Sequence, residues 1–320
     1  MPELPEVQTI VNDLNKKIVG RRITDVWSDW QKTVKKPPFK DFQKLIKNKI
    51  IVKVGRRAKN ILVYLTENYL LLIHLKMTGH LLVGKWKVKK LKGKEIVIPL
   101  EPKEAVVDPY NKYIHLIFYL DPVRSRSPRG GRSHSLKARA ASNGVDNGQM
   151  LGFSDARKFG KIILGKKEQI ENLPEFRNLG PEPLDKNLKF ITFLKLIKSE
   201  RRKIKQVLMD PEIIAGIGNI YSDEILWEAK ISPLKPANKL SEKELRELWK
   251  AMHKILFKAL KLRGTSVSDY RDTAGKKGKY AEELLVYRRE GEKCLRCGSL
   301  IKRIKIGGRS AHYCPHCQKL

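Results

Sequence analysis

Two stretches at opposite ends of this sequence carry residues whose types and spacing do chemistry. The chain opens MPELPEVQTI, and removal of the initiator methionine ahead of a small residue would leave Pro2 as a secondary α-amine. An α-amine titrates near about 7.7–8.0 and a lysine near about 10.4, so at neutral pH roughly a tenth of such an amine is unprotonated, far more than of an ordinary lysine. A secondary amine that attacks a sugar C1′ becomes a permanently cationic iminium, an electron sink for later eliminations. Glu3 beside it brings a carboxylate able to move protons.

At the other end stand all four cysteines, as CLRC at 294–297 and CPHC at 314–317. Two C-x2-C pairs at this separation match a tetrahedral thiolate zinc site made of Cys294, Cys297, Cys314 and Cys317, and a reducing compartment disfavours disulfides. Four thiolates close the coordination shell, so the metal is structural. Between the pairs, LIKRIKI and SAHY flank Gly307-Gly308, the pattern of two short strands joined by a tight turn with Arg309 at its tip. His312 and His316 read as surface residues and not as ligands.

The elements that must position these groups divide the chain. Val7, Ile10, Val11, Leu14 and Ile18 follow Pro5 at helical spacing, and a proline is tolerated in a first helical turn. Stretches such as ILVYLTENYLLLIHL, EIVIPL, KYIHLIFYL, QMLGFSD and KIILG are short, branched or aromatic, and punctuated by turn residues, which predicts a sandwich or barrel-like pair of sheets. From about residue 186 the apolar spacing changes to three and four, with Ser241 and Glu244 as a capping box. In AGIGNIYSDEILWEAK the glycines around Ile217 break one helix, and Asn219 opens the next with its backbone amides exposed, a start suited to phosphate oxygens.

Charge names the kind of partner. Lys and Arg outnumber Asp and Glu by 67 to 34, a net charge of +33 over 320 residues. Such an excess repels itself unless a polyanion neutralises it, and nucleic acid is the expected polyanion, ahead of an anionic membrane surface. The longest apolar run, YLLLIHL, is too short to span a bilayer, and no charged-then-apolar leader opens the chain; an intracellular, cytoplasmic protein is expected.

PELPEV, RRAKN around Lys59, HLKMTGH, SDARKFG, AGIGNIYSDEILWEAKISP, LRGTSVSDYRDTAGKKGKYAEELLVYRREGEKC and the terminal cysteine pairs, in this order and over nearly the whole chain, resemble formamidopyrimidine-DNA glycosylases. The related endonuclease VIII branch shares the terminal Pro-Glu and the zinc hairpin, but Leu4 and the long GTSVSDYRDTAGKKGKY loop favour the formamidopyrimidine branch. The resemblance implies an α+β multidomain protein. An N-terminal β-sandwich with an N-terminal helix spans 1–165, a helical helix-two-turn-helix domain 166–290, and a C-terminal β-hairpin zinc finger 291–320. It implies a monomer acting on double-stranded DNA that contains oxidised bases or abasic sites, with one structural zinc and no redox or nucleotide cofactor. The activity implied is excision of oxidised purines, 8-oxoguanine and formamidopyrimidines, followed by β/δ-elimination. An oxidised-pyrimidine glycosylase and a non-catalytic DNA-binding protein are the alternatives.

Carried over residue by residue, the resemblance makes Pro2 the nucleophile, Glu3 the proton donor and Lys59 an assistant from the β-rich domain. Met77, Arg157 and Phe159 resemble the three side chains that fill the hole left by a flipped base; on residue type alone they are equally a core methionine, a surface arginine and a core phenylalanine. Arg201, Lys205, Asn219 and Arg309 resemble phosphate contacts, with Arg309 counted among the catalytic groups too. The chain departs from the family pattern twice. Where the family often has DNA-touching histidines it reads PYNKYIHLIF, leaving Asn111 as the substitute. And residues 122–145, PVRSRSPRGGRSHSLKARAASNGV, interrupt what would otherwise be a hairpin from Asp121 into Asn147-Gly148. Their composition predicts a disordered loop, with an accessory nucleic-acid arm as the sharper reading.

Overall fold

The computed structural model describes residues 1–91, 93–101, 109–121, 148–267 and 269–320. The insert expected at 122–145 lies outside the described residues.

Helix α1 runs Leu4–Lys17 with Glu3 as its N-cap and Pro5 in its first turn. Glu6 Oε2 accepts the Glu3 N–H at 2.8 Å. Val7, Ile10, Val11, Leu14 and Ile18 are buried, the stripe their spacing requires. They join a core between two five-stranded sheets. One sheet has the order β1 (Ile23–Ser28), β8 (Ile114–Leu120), β9 (Met150–Asp155), β6 (Gly79–Leu91), β7 (Lys94–Glu101); the other β2 (Val34–Lys36), β10 (Lys161–Lys166), β5 (Tyr69–His74), β4 (Asn60–Leu65), β3 (Ile51–Arg57). α2 (Phe39–Ile46) packs on β1 and β2.

Alternate residues point between the sheets, among them Leu81, Leu116, Phe118 and Phe153 facing Ile61, Val63, Leu71 and Ile73. The outward faces are covered as well: Leu62, Leu70, Leu72 and Ile163 form one satellite cluster, and Leu82, Trp86, Ile117 and Met150 another. Burial on both faces is why YLLLIHL reads as a continuous apolar run and not as an alternation. β8 and β9 pair antiparallel with Tyr119 opposite Met150, so the insert interrupts a hairpin, as its flanks imply.

The helical half holds α3 (Lys167–Glu171), α4 (Pro174–Arg177), α5 (Phe190–Lys198), α6 (Ile204–Met209), α7 (Asn219–Glu228) and α8 (Glu242–Lys261). Ser241 and Glu244 cap α8 reciprocally, as expected: each one's side chain accepts the other's backbone N–H. The apolar pattern from 190 to 209 is not one helix. Lys203 is extended and bridges Pro236, and Ile204 donates its N–H to Lys235 O at 2.9 Å, which starts α6 afresh. A second core of α5 to α8 residues includes Phe193, Leu208, Tyr221, Ile225, Leu248 and Met252. Strands β11 (Lys302–Ile306) and β12 (Arg309–Tyr313) form the terminal hairpin. Trp227 of α7, Val286, Cys294, Ile301 and Cys314 pack beneath it. Among the described residues no helix is long and apolar enough to cross a membrane.

Candidate active site

The start of α7 is occupied, and its occupant comes from the other end of the chain. Glu3 Oε2 accepts the N–H of Gly218 at 2.7 Å and of Tyr221 at 3.4 Å, while Oε1 accepts that of Ile220 at 2.9 Å. The partial positive charge of a helix N-terminus favours a carboxylate as it would a phosphate. The expectation of exposed amides at AGIGN is therefore corrected. The glycines there have a steric reason: a Cβ on Gly218 would lie 2.5 Å from Glu3 Cδ, and Gly216 has φ +97°. Leu4 N–H donates to Gly216 O at 3.0 Å, which locks the MPEL segment into this turn.

Around Glu3 gather groups from every part of the fold. Pro2 is buried. Lys59, at the β3–β4 turn, donates from Nζ to Ile217 O at 2.9 Å. Burial lowers its pKa, partly offset by the charges of Glu3 and Glu6, and the positive charge of Arg309 lowers it further. The terminal amine of Met1 is also held below its usual value by burial, with Glu3 and Glu6 opposing and Lys59 reinforcing that shift. Glu6 Oε1 accepts from Tyr221 Oη at 2.5 Å and from Thr265 N at 2.7 Å. Burial, then the nearby charge of Glu3, pushes the Glu6 carboxyl up to about 7. A cavity of about 450 Å³ opens beside these groups, lined by Met1, Lys59, His74, Lys76 and Lys161 among others.

Sequence reasoning did not single out His74, Glu6 or Asp155. His74 Nδ1 accepts the Lys76 N–H at 3.0 Å, which leaves the ring proton on Nε2. Burial, then the charges of Lys76 and Lys59, pushes its pKa down to about 3, so the imidazole is a neutral donor. Its only sequence signal was its place in HLKMTGH. Glu6 was half-visible as a first-turn acid; the donors that bind its Oε1, Tyr221 and Thr265, lie more than 200 residues away.

Met77, Arg157 and Phe159 stand on neighbouring loops, and all three are exposed. Met77 is 41% and Phe159 51% accessible, which removes the core readings of both. The Arg157 guanidinium lies 4.6 Å over the Phe159 ring. Arg201 and Arg309 are exposed, and Asn219 is half-buried at the first position of α7. Two expected contacts are corrected. Asn111 is 5% accessible and its Oδ1 accepts Trp86 Nε1–H at 2.8 Å, so it braces the sandwich and presents no surface to DNA. Lys205 is 1% accessible and its Nζ bonds Asp223 Oδ1 at 2.6 Å and Ser222 Oγ at 3.0 Å. A buried, paired ammonium is not available to a phosphate; Lys205 instead also reaches Asn219 O at 3.4 Å and steadies the α7 start. His312, expected at the surface, is buried: Asp223 Oδ2 accepts its backbone N–H at 2.9 Å and contacts Nδ1 at 3.1 Å. His316 is exposed, as expected.

The Sγ atoms of Cys294, Cys297, Cys314 and Cys317 lie within 4.8 Å of one another. A single ion with Zn–S bonds of about 2.3 Å spans such a set.

Three family models match, in the order of the elements just described. Residues 1–162 match the formamidopyrimidine-DNA glycosylase N-terminal domain, 179–271 the formamidopyrimidine-DNA glycosylase H2TH domain, and 291–320 the zinc finger found in FPG and IleRS. The chain belongs to the formamidopyrimidine-DNA glycosylase family. Relatives carrying that name from Pelotomaculum thermopropionicum and Lactococcus lactis are 36% and 35% identical, each alignment covering 100% of both chains. Among solved structures, a Lactococcus lactis FPG variant in complex with DNA containing Fapy-dG superposes with a TM-score of 0.78 at 31% identity, covering 100% of each chain. A MutM complex with DNA containing carbocyclic 8-oxo-G gives 0.77 at 32%, again over 100% of both. The match to the glycosylase zinc finger and the clustered thiols together make one structural zinc the resident cofactor.

Proposed function

We propose that this chain is a bifunctional DNA glycosylase of base-excision repair. It removes oxidised purines, 8-oxoguanine and formamidopyrimidines, from double-stranded DNA and then cleaves the strand at the resulting abasic site. The observation that carries the reading is that Glu3, next to Pro2, and Lys59 both bond the start of α7, across 217 and 158 positions of sequence. Family membership and the DNA complexes of relatives containing Fapy-dG and abasic sites support it.

After removal of Met1 the Pro2 nitrogen is the terminal amine. Its lone pair attacks C1′ of the damaged nucleoside, the C1′–N bond breaks, and the base leaves with the bonding pair and takes up a proton from water. Ring opening yields an iminium between Pro2 and C1′. Glu3 takes up the proton that the Pro2 amine releases and passes it to the ring oxygen of the sugar, and Lys59, whose ammonium form burial disfavours, assists beside that sugar. Loss of a C2′ proton to a base then expels the 3′ phosphate, the iminium accepting the electron pair, and a second elimination releases the 5′ phosphate. Met77, Arg157 and Phe159 fill the void left by the extruded nucleotide. Arg201, Asn219 and Arg309 take the phosphates, and Arg309 adds positive charge beside Lys59. The zinc takes no part in these steps; the four cysteines fix the hairpin that aims Arg309. Two separate large cores support a division between sandwich and helical half near residue 165, and the zinc hairpin from about 291 packs on the helical half through Trp227 and Val286. A monomer in the cytoplasm, at the nucleoid of a bacterium, fits a net charge of +33.

Borohydride trapping on a duplex with one 8-oxoguanine tests the reading. A covalent adduct mapped to Pro2, and severely reduced by Pro2→Gly, is expected. An adduct mapped to an internal lysine, or full activity with a blocked amino terminus, would overturn the assignment.

A further inference from the structure

The exposed residues of the wedge stand on two loops that the chain brings together from 77 residues apart in sequence, and beneath them lies a carboxylate with no exposed surface of its own. Asp155 ends β9 and is 1% accessible. Its Oδ1 accepts Thr78 Oγ1–H at 2.5 Å and the Arg157 N–H at 3.3 Å; its Oδ2 accepts the Gly160 N–H at 2.6 Å. Thr78 Oγ1 in turn accepts the Arg157 N–H at 3.2 Å. Lys158 N–H donates to Asp155 O at 3.1 Å, and Lys158 has φ +58°. The Lys158 side chain lies 4.3 Å over the Trp30 ring, while Arg157 packs on Phe159.

We propose that Asp155 is a positioning residue that joins the Met77 loop and the Arg157–Phe159 loop into a single rigid wedge, with Thr78 as the link. This rests on the glycosylase reading above. The chemistry of the link is asymmetric: every group aimed at the Asp155 carboxylate is a donor, so a side chain with an amide NH2 in its place turns a donor onto a donor. The two loops carry the apolar plug and the aromatic plate separately. Base extrusion therefore needs them in register, because a wedge that gives way under the stacked bases does not hold the unstacked state. Cleavage at an abasic site does not need extrusion of a base and depends far less on the link.

The test uses the full-length zinc-loaded enzyme in single-turnover assays at saturating protein. Asp155→Asn and Thr78→Val are each compared with wild type on two duplexes, one with 8-oxoguanine and one with a preformed abasic site. The expected result is a fall of about tenfold or more in base excision with abasic-site cleavage within about twofold, and recovery of excision in Thr78→Ser, which keeps the hydroxyl. Adding Asp155→Asn to Phe159→Ala should cost little further, because the part that Asp155 aims is already gone. Equal losses on both duplexes, or full additivity with Phe159→Ala, would overturn the proposal. If Asp155→Asn fails to fold, Thr78→Val decides alone. A wild type inactive on both duplexes would refute the glycosylase reading instead, which keeps the two failures apart.

Discussion

Glu3→Gln tests whether one carboxylate both holds the helical half to the N-terminus and moves a proton. The substitution preserves shape and one acceptor oxygen but turns an NH2 toward backbone amides that donate. In the wild type both oxygens are used, Oε2 by Gly218 and Tyr221 and Oε1 by Ile220, in a pocket where Glu3 is 2% accessible. A hydrogen bond to a charged group is worth about 1.5–3 kcal/mol and a neutral one about 0.5–1.5 kcal/mol. Losing one oxygen's donors outright and downgrading the rest therefore costs about 2–3 kcal/mol. A cooperative unit of roughly 150–250 residues shifts by about 2–4 °C per kcal/mol, so the melting midpoint should fall by about 5–10 °C. The chemical effect is larger and separable: at a temperature where both proteins are fully folded, removing a positioned acid should slow base excision by about 10²–10⁴-fold. Calorimetry reads the first number and single-turnover excision the second. An unchanged midpoint would refute the claim that Glu3 holds the α7 amides. A rate loss that only follows the unfolded fraction would refute its role in proton transfer.

Three further outcomes are expected. Cys297→Ser or Cys314→Ser should lose stoichiometric zinc and weaken DNA binding, while the N-terminal sandwich still folds, since its core is separate from the cluster beneath the hairpin; metal analysis and circular dichroism check both parts. Glu6→Gln should flatten a pH dependence. The folded Glu6 carboxyl binds its proton more tightly than the unfolded one, with a pKa raised from 4.5 to about 7. Between those values the native state thus holds more protons, and wild-type stability relative to Glu6→Gln should fall as pH rises through the window, by an amount on the order of 3 kcal/mol. Denaturant midpoints of both proteins at pH 4.5 and 7.5 measure it, and parallel curves would count against a strained carboxylate there. Deleting residues 122–145 should leave fold, zinc and excision rate intact, because β8 and β9 already pair with Tyr119 opposite Met150. Salt titration of DNA binding should show at most a shallower slope, and loss of excision at saturating enzyme would place the insert in the active site.

The sequence by itself determined what depends on near neighbours. The two cysteine pairs, the hairpin turn at Gly307-Gly308, the Ser241–Glu244 capping box and the buried stripe of α1 each rest on short local spacings, and each is present. Family resemblance singled out Met77, Arg157 and Phe159 as candidates to fill the void, and all three are exposed. Which group covers which was decided only by tertiary structure. AGIGN has the chemistry of an anion-binding helix start, and nothing local distinguishes a phosphate from a carboxylate; Glu3 takes the site because α1 is docked against the turn, with Leu4 bonded to Gly216. Lys205 and Asn111 look available in one dimension, yet Asp223 and Trp86 bury them. Asp155 and Thr78 gave no sign of their partnership, since Asp155 ends β9 and Thr78 sits just ahead of β6, and the two are neighbours only when β6 pairs with β9 and sets Gly79 opposite Asp155. Periodicity reports which face of an element is apolar; the identity of the element packed on a polar side chain is a long-range fact, fixed when the two sheets and the helical half close around the N-terminus.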